Sequence, residues 1–421
     1  MATKGSMIPV AKPLMDEAEV EAAGRAIRSG WVTQGPEVAA FEREFAAFVG
    51  APNACAVSSG TTALHLALLI VGVRPGDEVV TVSHSYIATA NVVRYCGAVP
   101  VFVDVLPDTY CIDPAAAEDA ITPRTRALLP VHLAMCMADM DALGALAERH
   151  GLRVVEDCAH AHGAKWKGKG AGSLGHAGAI SLQSSKLLTA GEGGVVTTND
   201  DEIAERAESY TNCGRASRTD RFGHRLLGFN YRLTEFQAAV LLGQLEKLPA
   251  QNALRARRAQ RLAKGLAEIA GLSLLRPDPR QTAPAFYHYV FKYDAAAFGE
   301  ASRDRFVAAL EAEGIPCDGL FYEPVYRSTL FDIEPRDFPA LGGRLPWEGT
   351  RCPVAEKAAF EESVWVPHRV LLGTDSEVDS VLEAIAKIQA NPDELRTAEH
   401  PLVHLKSMSR AHRDRAMREG S

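Results

Sequence analysis

Residues 127 to 156 read ALLPVHLAMCMADMDALGALAERHGLRVVE, and the alternation of patterns in this stretch determines the fold class. Ala127 to His132 and Leu152 to Glu156 are short, mostly apolar runs. The segment Met140 to His150 between them has the pattern of a helix. Apolar runs that alternate with helices are typical of strands in a parallel sheet that is covered on both faces. This stretch therefore predicts a strand–helix–strand unit of an α/β protein.

The same alternation extends in both directions along the chain. Further strands are predicted at Ala54–Val57, Glu78–Val82, Val99–Val103, Ala177–Leu182 and Gly194–Thr198. Helices are predicted at Gly60–Leu69, Ile87–Tyr95, Asp201–Thr211 and Thr234 to about Ile269. Together the strands predict a mixed, mostly parallel seven-stranded sheet in one large domain.

The chain divides into four segments. An N-terminal arm of residues 1–15 is followed by a large domain of residues 16–250, a small α+β domain of residues 251–391 and a tail of residues 392–421. The large domain begins with a predicted amphipathic helix, Asp16 to Ser29, which we expect to turn Val20, Ala23 and Ile27 inward and Glu17, Glu19 and Glu21 outward. The tail carries several basic residues and is interpreted as a solvated helical extension.

Composition excludes several classes of protein. The 421 residues carry 45 Lys and Arg against 53 Asp and Glu, a net charge of -8, which argues against a broad nucleic-acid surface. No apolar run is long enough to span a membrane, and the N-terminus lacks the pattern of a secretory signal. The eight cysteines form no CxxC pair and no zinc spacing, so we expect free thiols, no metal site and a cytoplasmic location.

A glycine motif offers a misleading signal. Gly170-Ala-Gly172-Ser-Leu-Gly175 satisfies G-x-G-x-x-G, which binds dinucleotides when a strand precedes it and a helix follows. Here a polar run precedes it and a predicted strand follows. We therefore interpret it as a loop without a nucleotide.

The first candidate for chemistry is Ser59-Gly60-Thr61-Thr62, between a predicted strand and a predicted helix. The free N–H groups of a helix start, with two hydroxyls, can bind an anion. A plain helix cap is the alternative. A second motif, Gly228-Phe-Asn230-Tyr-Arg232, could serve a phosphate or carboxylate, or could simply precede the long helix that Thr234 caps.

Two further residues follow predicted strands. Asp157 ends the strand from Leu152 and could hold a cationic heterocycle nitrogen, or could cap a helix. Lys186 lies between apolar residues and a glycine-rich turn, where burial would lower its pKa and make it a Schiff-base nucleophile; the alternative is a surface lysine. An anion cradle, an acid and a desolvated lysine are the three parts of a pyridoxal phosphate site. Tyr86 is placed to stack on the ring.

An ordered set of motifs supports this hypothesis. The chain resembles the PLP-dependent sugar aminotransferases of the DegT/StrS type, which have the fold type I architecture, from about residue 8 to residue 390. The matching stretches are Ser29-Gly-Trp-Val-Thr-Gln-Gly-Pro36, Ser59-Gly-Thr-Thr-Ala-Leu64, Pro130-Val-His132, Val155-Glu-Asp-Cys-Ala-His160, Ser181-Leu-Gln-Ser-Ser-Lys186, Gly191-Glu-Gly-Gly194 and Asn230-Tyr-Arg-Leu-Thr-Glu-Phe236.

The resemblance implies a role for each matching residue. Lys186 would carry the internal aldimine and shuttle the proton, and Asp157 would pair with the pyridinium nitrogen. The phosphate would be bound by Gly60, Thr61, Thr62 and Ser181, and by Asn230 of the neighbouring subunit in a homodimer. Tyr86, His160 and Gln183 would contact the cofactor. Trp31 and Gln34 would lie in the segment that closes over substrate, and Arg232 is a further substrate candidate.

Two departures from the family pattern bear on the substrate. Residues 134–136 read Ala-Met-Cys where many members have an aromatic residue and a glycine, which suggests a differently shaped loop. Gln183 stands where many nucleotide-sugar members have a His or an aromatic residue. In this respect the chain resembles the branch that acts on ketocyclitols, which commonly takes its amino group from glutamine.

The resemblance implies a ping-pong transfer of an amino group from glutamate or glutamine to a keto sugar or ketocyclitol, in amino-sugar, aminocyclitol or antibiotic biosynthesis. The alternatives are a PLP-dependent dehydratase or lyase of the same fold, and a non-enzymatic sensor or regulator. Lys186 counts against a dehydratase, because relatives of that kind replace the lysine with histidine. We expect no nucleic-acid or membrane partner.

Overall fold

The computed structural model describes residues 13–216, 223–331 and 347–397. Its helices are α1 Glu17–Arg28, α2 Pro36–Val49, α3 Gly60–Ile70, α4 Ala88–Tyr95, α5 Pro114–Asp119, α6 Met140–His150, α7 Asp201–Thr211, α8 Glu235–Ala267, α9 Arg303–Ala312, α10 Pro353–Lys357, α11 Asp375–Gln389 and α12 Pro392–Thr397. Its strands are β1 Asn53–Val57, β2 Glu78–Val82, β3 Val99–Val103, β4 Thr125–Leu129, β5 Arg153–Asp157, β6 Lys165–Trp166, β7 Lys169–Gly170, β8 Ala177–Ser181, β9 Gly194–Thr198, β10 Leu272–Leu274, β11 Gln281–Ala283, β12 His288–Tyr293 and β13 Ser363–Pro367.

The predicted seven-stranded sheet is confirmed. Its order is β1-β9-β8-β5-β4-β2-β3, and β9 is the one strand in it that runs opposite to the others, so it pairs antiparallel with β1 on one side and β8 on the other. The remaining neighbours pair in parallel. The carboxyl ends of β1, β5 and β8 therefore point to the same edge of the sheet, where open α/β folds place their ligands.

Strand boundaries differ from the prediction by one residue in β1, β5 and β8 and by more in β4. The strand expected over Ala127–His132 ends at Leu129, because Pro130 has no N–H to continue the ladder. The chain returns to the sheet at Val131, which forms a single parallel bridge with Asp157. This bridge positions the segment after β4 beside the end of β5.

The predicted orientation of α1 is wrong. Val20 is 60% exposed and Ile27 is 57% exposed, although both were expected to face inward. The residues that α1 buries are Glu19, Ala22 and Ala26. The two alanines let α8 approach closely, and the Glu19 carboxylate accepts hydrogen bonds from Gln244 at 2.7 Å and Lys247 at 2.6 Å. A paired acid therefore occupies the inward face, and an apolar stripe faces outward.

A smaller sheet, β10-β12-β13, lies in the C-terminal part of the chain, and a third sheet joins β11 to β6 and β7. The 33-residue helix α8 contacts α1 and α2 near its start, and β10 and α11 further along. The predicted domain boundary at residues 250–251 lies inside α8, directly after Pro249. We propose that α8 connects the two predicted domains there. Residues 1–12 of the predicted arm and 398–421 of the tail lie outside the described residues.

The glycine motif at residues 170–175 binds a side chain of the protein itself. The Glu156 carboxylate is fully buried and accepts the N–H groups of Gly172, Leu174 and Gly175 at 2.7–3.0 Å. His132 Nε2 completes the set at 3.0 Å, donating its hydrogen because Nδ1 accepts the N–H of Ala138. The motif is therefore an anion nest for an internal carboxylate, a role that its sequence pattern did not predict.

The same cluster has the composition of a metal site. His132, Glu156 and Cys158 bring their ligand atoms within 4.8 Å of one another. However, the lone pairs that a cation would need at His132 and Glu156 are already used by N–H donors. Their arrangement is that of a structural network.

The substitution Glu156→Gln should destabilise the protein by about 2–4 kcal/mol, because an amide N–H would face buried donors and leave some of them without an acceptor. Chemical denaturation of the purified variant measures the change in the free energy of unfolding. Glu202→Gln on the exposed start of α7 is the matched control and should change it by less than about 0.5 kcal/mol. Equal stabilities of the two variants would contradict the structural role of Glu156.

Candidate active site

A cavity of about 610 Å³ opens at the carboxyl edge of the large sheet. Its wall brings together residues that are far apart in the chain: Gly60 and Thr61 at the start of α3, Asp157 at the end of β5, and Lys186. Tyr86, His160, Ser181 and Gln183 also line it. Eight of the predicted site residues therefore share one cavity, as the hypothesis of a common site requires.

Lys186 lies on the irregular segment that follows β8. Its Nζ atom is 4.2 Å from the centroid of the Tyr287 ring. Burial of the amine lowers the pKa of Lys186 to about 8, although the negative charge of Asp157 acts in the opposite direction. A larger fraction of this amine is therefore unprotonated near neutral pH than for an exposed lysine, which favours a nucleophile.

Asp157 is 4% exposed and has two hydrogen bonds. Its Oδ1 accepts the N–H of Ala159 at 3.1 Å, and its Oδ2 accepts the hydroxyl of Thr89 at 2.9 Å. Burial raises the pKa of this carboxyl group, while these two bonds and Lys186 counteract the effect. A carboxylate in this position would gain from a cationic N–H partner in the cavity.

The start of α3 provides the candidate anion site. The Ser59 side chain accepts the N–H of Thr62 at 3.1 Å, so the N–H groups of Gly60 and Thr61 are left to other acceptors. A Cβ atom on Gly60 would lie 2.5 Å from the Cβ atom of Ser181. Glycine is therefore required for the helix start to reach the end of β8, and Gly60, Thr61 and Ser181 all line the cavity.

Thr62 itself does not line the cavity. Its hydroxyl donates to the Ser59 carbonyl at 2.8 Å and accepts the Ser59 N–H at 3.0 Å, which completes a capping box. The helix-cap alternative therefore applies to Ser59 and Thr62, while Gly60 and Thr61 line the cavity and stay candidates for anion binding.

His160 is a buried, uncharged ring. Burial lowers the pKa of His160 well below its usual value. Its Nδ1 accepts the N–H of Ala134 at 3.2 Å, so Nε2 carries the hydrogen and donates it to the Tyr322 hydroxyl at 3.0 Å. The Tyr322 hydroxyl therefore keeps its own proton free to donate into the cavity.

Gln183 is held by its neighbours on the lysine segment. Its Oε1 accepts the Ser185 N–H at 2.9 Å and the Ser185 hydroxyl at 2.7 Å. Its Nε2 donates to the Ser184 hydroxyl at 2.8 Å. The Ser181 carbonyl accepts a hydrogen bond from His162 Nε2 at 2.6 Å, which fixes the end of β8 beside the cavity.

Four predicted residues lie elsewhere. Trp31, Gln34 and Arg232 line a separate open groove of about 550 Å³, together with Asn212 and Arg215. Asn230 is exposed and forms a bridge with Asn212 at the same surface. The structure of one chain therefore separates these four residues from Lys186.

Several cavity residues were not predicted, among them Thr89, Tyr287 and Tyr322. Thr89 lies on α4, and its role depends on the packing of α4 against the end of β5. The two tyrosines come from the smaller C-terminal part of the chain. Their local sequence carries no motif that links them to Lys186, more than 100 positions away, so only the tertiary fold reveals them.

The residues fit pyridoxal 5'-phosphate. The N–H groups at the start of α3 match a phosphate group, the buried Asp157 matches a protonated ring nitrogen, and the amine of Lys186 matches an aldehyde.

In the part of the chain that the structure describes, no helix combines the length and the apolar character needed to cross a membrane.

Comparison with known proteins gives relatives over most of the chain. A protein of Streptoalloteichus tenebrarius, provisionally named L-glutamine:3-amino-2,3-dideoxy-scyllo-inosose aminotransferase, is 45% identical over 364 residues, which are 85% of this chain and 88% of that protein. An L-glutamine:2-deoxy-scyllo-inosose aminotransferase of the same organism is 40% identical over 398 residues, 90% and 93% of the two chains.

Structural comparison agrees with the sequence comparison. The crystal structure of 3-amino-5-hydroxybenzoic acid synthase superposes with a TM-score of 0.81 at 36% identity, covering 92% of this chain and all of that one. The profile of the DegT/DnrJ/EryC1/StrS aminotransferase family matches residues 13–386. Both the predicted resemblance and the predicted fold are confirmed, and the chain belongs to the DegT/DnrJ/EryC1/StrS aminotransferase family.

Proposed function

We propose that this PLP-dependent aminotransferase moves an amino group from glutamine to the keto carbon of a free ketocyclitol, in aminocyclitol antibiotic biosynthesis. The main observation that supports this reaction is that Lys186, Asp157 and the start of α3 line one cavity. The names of the relatives support both the donor and the acceptor class. They also favour an aminotransferase over the dehydratase, lyase and sensor alternatives.

The charge of the cavity supports an acceptor without a nucleotide. Among the described residues, the charged side chains that line it are Asp157, Lys186 and Glu192, and no arginine contributes. A nucleotide diphosphate would have to take its cations from outside this wall. A neutral polyol ring needs hydroxyl and carboxylate partners instead, and Ser185, Tyr322 and Glu192 provide them.

The residues divide the chemistry as follows. Bound PLP supplies an electron sink that allows a proton to leave the carbon next to the amino group. Lys186 takes that proton at Nζ as a general base. It then acts as an acid and transfers the proton between the substrate carbon and the cofactor. Asp157 holds the ring nitrogen in its protonated state, because a buried carboxylate favours a cationic partner.

The remaining contacts orient the reactants. The N–H groups of Gly60 and Thr61 and the Ser181 hydroxyl bind the phosphate, Tyr86 stacks on the ring, and Thr62 acts indirectly by capping α3. His160 and Gln183 line the cofactor from the side of the lysine segment. A cytoplasmic location is consistent with eight free cysteines, seven of them buried.

We propose that the protein is a homodimer whose second copy covers the exposed apolar face of α1 and the groove beside it. Val20, Ile27 and Trp31 expose 56–60% of their surface on this face. Asn230 is exposed at the same groove, where it would reach the phosphate in the partner's cavity. The groove also carries Arg215 and Arg232, which would supply the cations for the donor's carboxylate that the cavity wall lacks.

A subunit-mixing experiment tests the shared site. Lys186→Ala and Asn230→Asp should each inactivate the homodimer, the second because a carboxylate repels the phosphate. Mixing and reassociating the two should restore activity of up to about one quarter of the wild-type level, since a heterodimer contains one intact site. No recovery after verified subunit exchange would contradict the sharing of residues between subunits.

A half-reaction screen tests the substrate class. The purified protein should lose the absorbance of the aldehyde cofactor when glutamine is added, and free ketocyclitols should restore it. Nucleotide-linked keto sugars form the comparison panel. Restoration by those sugars alone would contradict the proposed acceptor, and a cofactor absorbance that no amino donor changes would contradict the aminotransferase assignment at this site.

A further inference from the structure

We propose that Tyr287 is a positioning residue for the reactive amine: its ring face seats Nζ of Lys186, and its hydroxyl fixes the segment that carries Gln183. The proposal rests on the proposed function for the role of Lys186. Nothing in the sequence motifs includes Tyr287, which lies directly before β12. The contacts that support the proposal involve both the ring and the hydroxyl, and they can be separated by substitution.

The ring of Tyr287 is held rigidly. The residue is 4% exposed, and its ring stacks on His160 with the centroids 4.0 Å apart and the planes at 29°. Its N–H donates to the Ala134 carbonyl at 3.0 Å, and its carbonyl accepts the N–H of His368 at 3.2 Å. A ring fixed from the backbone on both sides can define the position of whatever lies over its face.

What lies over that face is the amine of Lys186, with Nζ 4.2 Å from the ring centroid. An ammonium group at this distance is attracted by the ring quadrupole, and the attraction strengthens when water is excluded. The ring therefore favours one position of the amine whenever the lysine is free and protonated. This is the state that must hold its proton until the substrate carbon is ready to accept it.

Few charged groups among the described residues surround Lys186, so the attraction of the Tyr287 ring can affect the protonation of its amine. The titratable groups that interact with it are Asp157, His160, His162 and His288. Burial lowers the pKa values of the three histidines, so they are neutral near pH 7. Asp157 is thus the one charged partner in this group, and the Tyr287 ring is a second attraction for the ammonium form.

The hydroxyl of Tyr287 has a separate task. The Ser185 hydroxyl donates to Gln183 Oε1 at 2.7 Å, so it accepts the hydrogen bond from the Tyr287 hydroxyl at 2.8 Å. Burial raises the pKa of Tyr287, so the hydroxyl keeps the proton that it donates. The chain Tyr287–Ser185–Gln183 therefore orients the Gln183 amide at the cavity wall.

Two substitutions distinguish the effect of the Tyr287 ring from that of its hydroxyl. Tyr287→Phe keeps the ring and should leave the proton affinity of Lys186 unchanged. The KM of the acceptor should rise several-fold, because Ser185, a proposed hydroxyl partner of the acceptor, loses the hydrogen bond from Tyr287 that orients it. Tyr287→Met fills the space without an aromatic face and should lower the proton affinity of Lys186 by about three- to tenfold. Tyr289→Met, on the neighbouring strand β12 and equally buried, is the matched control and should change neither quantity.

The proton affinity is measured directly by trace acetylation. The full-length protein carrying the aminated cofactor, in which Lys186 is free, is labelled with acetic anhydride across a range of pH. The Lys186 peptide is then quantified by mass spectrometry, with the exposed Lys165 and Lys169 as internal references. A lower pKa of Lys186 in Tyr287→Met than in Tyr287→Phe supports the proposal.

Equal pKa values of Lys186 in the wild type and Tyr287→Met would overturn it, as would an equal decrease in Tyr287→Phe. A KM that does not change in Tyr287→Phe would overturn the role of the hydroxyl. The labelling needs no turnover, so its result is independent of the acceptor. A failure of the proposed function would instead appear in the glutamine half-reaction of the wild-type protein.

Discussion

Replacement of Lys186 by alanine should reduce transamination by a factor on the order of 10⁴ or more, to the limit of detection. Among the residues that the structure describes, it is the one lysine of the cavity wall, and burial lowers its pKa to about 8, so no other described amine there can take its place. It acts both as the nucleophile that holds the cofactor and as the base that moves the proton. Losing both tasks removes every route to the product.

Two measurements check this expectation. Steady-state turnover with glutamine gives the loss of activity. Borohydride reduction of the wild-type protein followed by mass spectrometry should place the cofactor mass on the peptide that contains Lys186, and the variant should carry none. Lys169→Ala, at an exposed lysine on β7, is the matched control and should keep wild-type activity. Turnover by Lys186→Ala within about 100-fold of wild type would contradict the assignment.

The sequence predicted the part of this site that depends on strand ends. Asp157 and Lys186 follow buried strands, and Gly60 begins a helix after another strand, so the parallel sheet alone brings them to one edge. The pattern of apolar runs was sufficient to order these residues in space. The errors in the strand boundaries, the largest at Pro130, did not change which edge the side chains share.

The residues that were missed depend on tertiary packing. Tyr287 and Tyr322 reach the cavity because the C-terminal part of the chain folds back over the sheet edge, and no local period encodes that contact. The wrong face of α1 has a related cause: Glu19 is buried because Lys247 and Gln244 of α8 pair with it, which the helix alone cannot reveal. Trp31, Gln34, Asn230 and Arg232 match family motifs, yet a single chain keeps them away from Lys186.

Asp157→Asn should reduce the rate of the glutamine half-reaction by about 10²–10³-fold, the loss typical of removing one preorganised electrostatic partner. The asparagine fits the site: its oxygen can accept the Ala159 N–H, and its amide can donate to the Thr89 hydroxyl, which passes its own hydrogen to Ser85. The fold is therefore preserved, and what is lost is the negative charge that keeps the ring nitrogen protonated. Stopped-flow absorbance of the cofactor measures the rate.

The substitution Thr89→Val removes the hydrogen bond to Asp157 while keeping its carboxylate, so it distinguishes the effect of the charge from that of the bond. The hydroxyl of Thr89 lowers the pKa of Asp157 against the effect of burial, so its removal raises that pKa further but leaves the carboxylate in place. We expect a loss of less than about tenfold at pH 8, growing as the pH falls, because a larger fraction of the acid is then protonated. If Asp157→Asn instead reacts within threefold of the wild type, or if Thr89→Val is the slower of the two, the carboxylate does not act on the ring nitrogen.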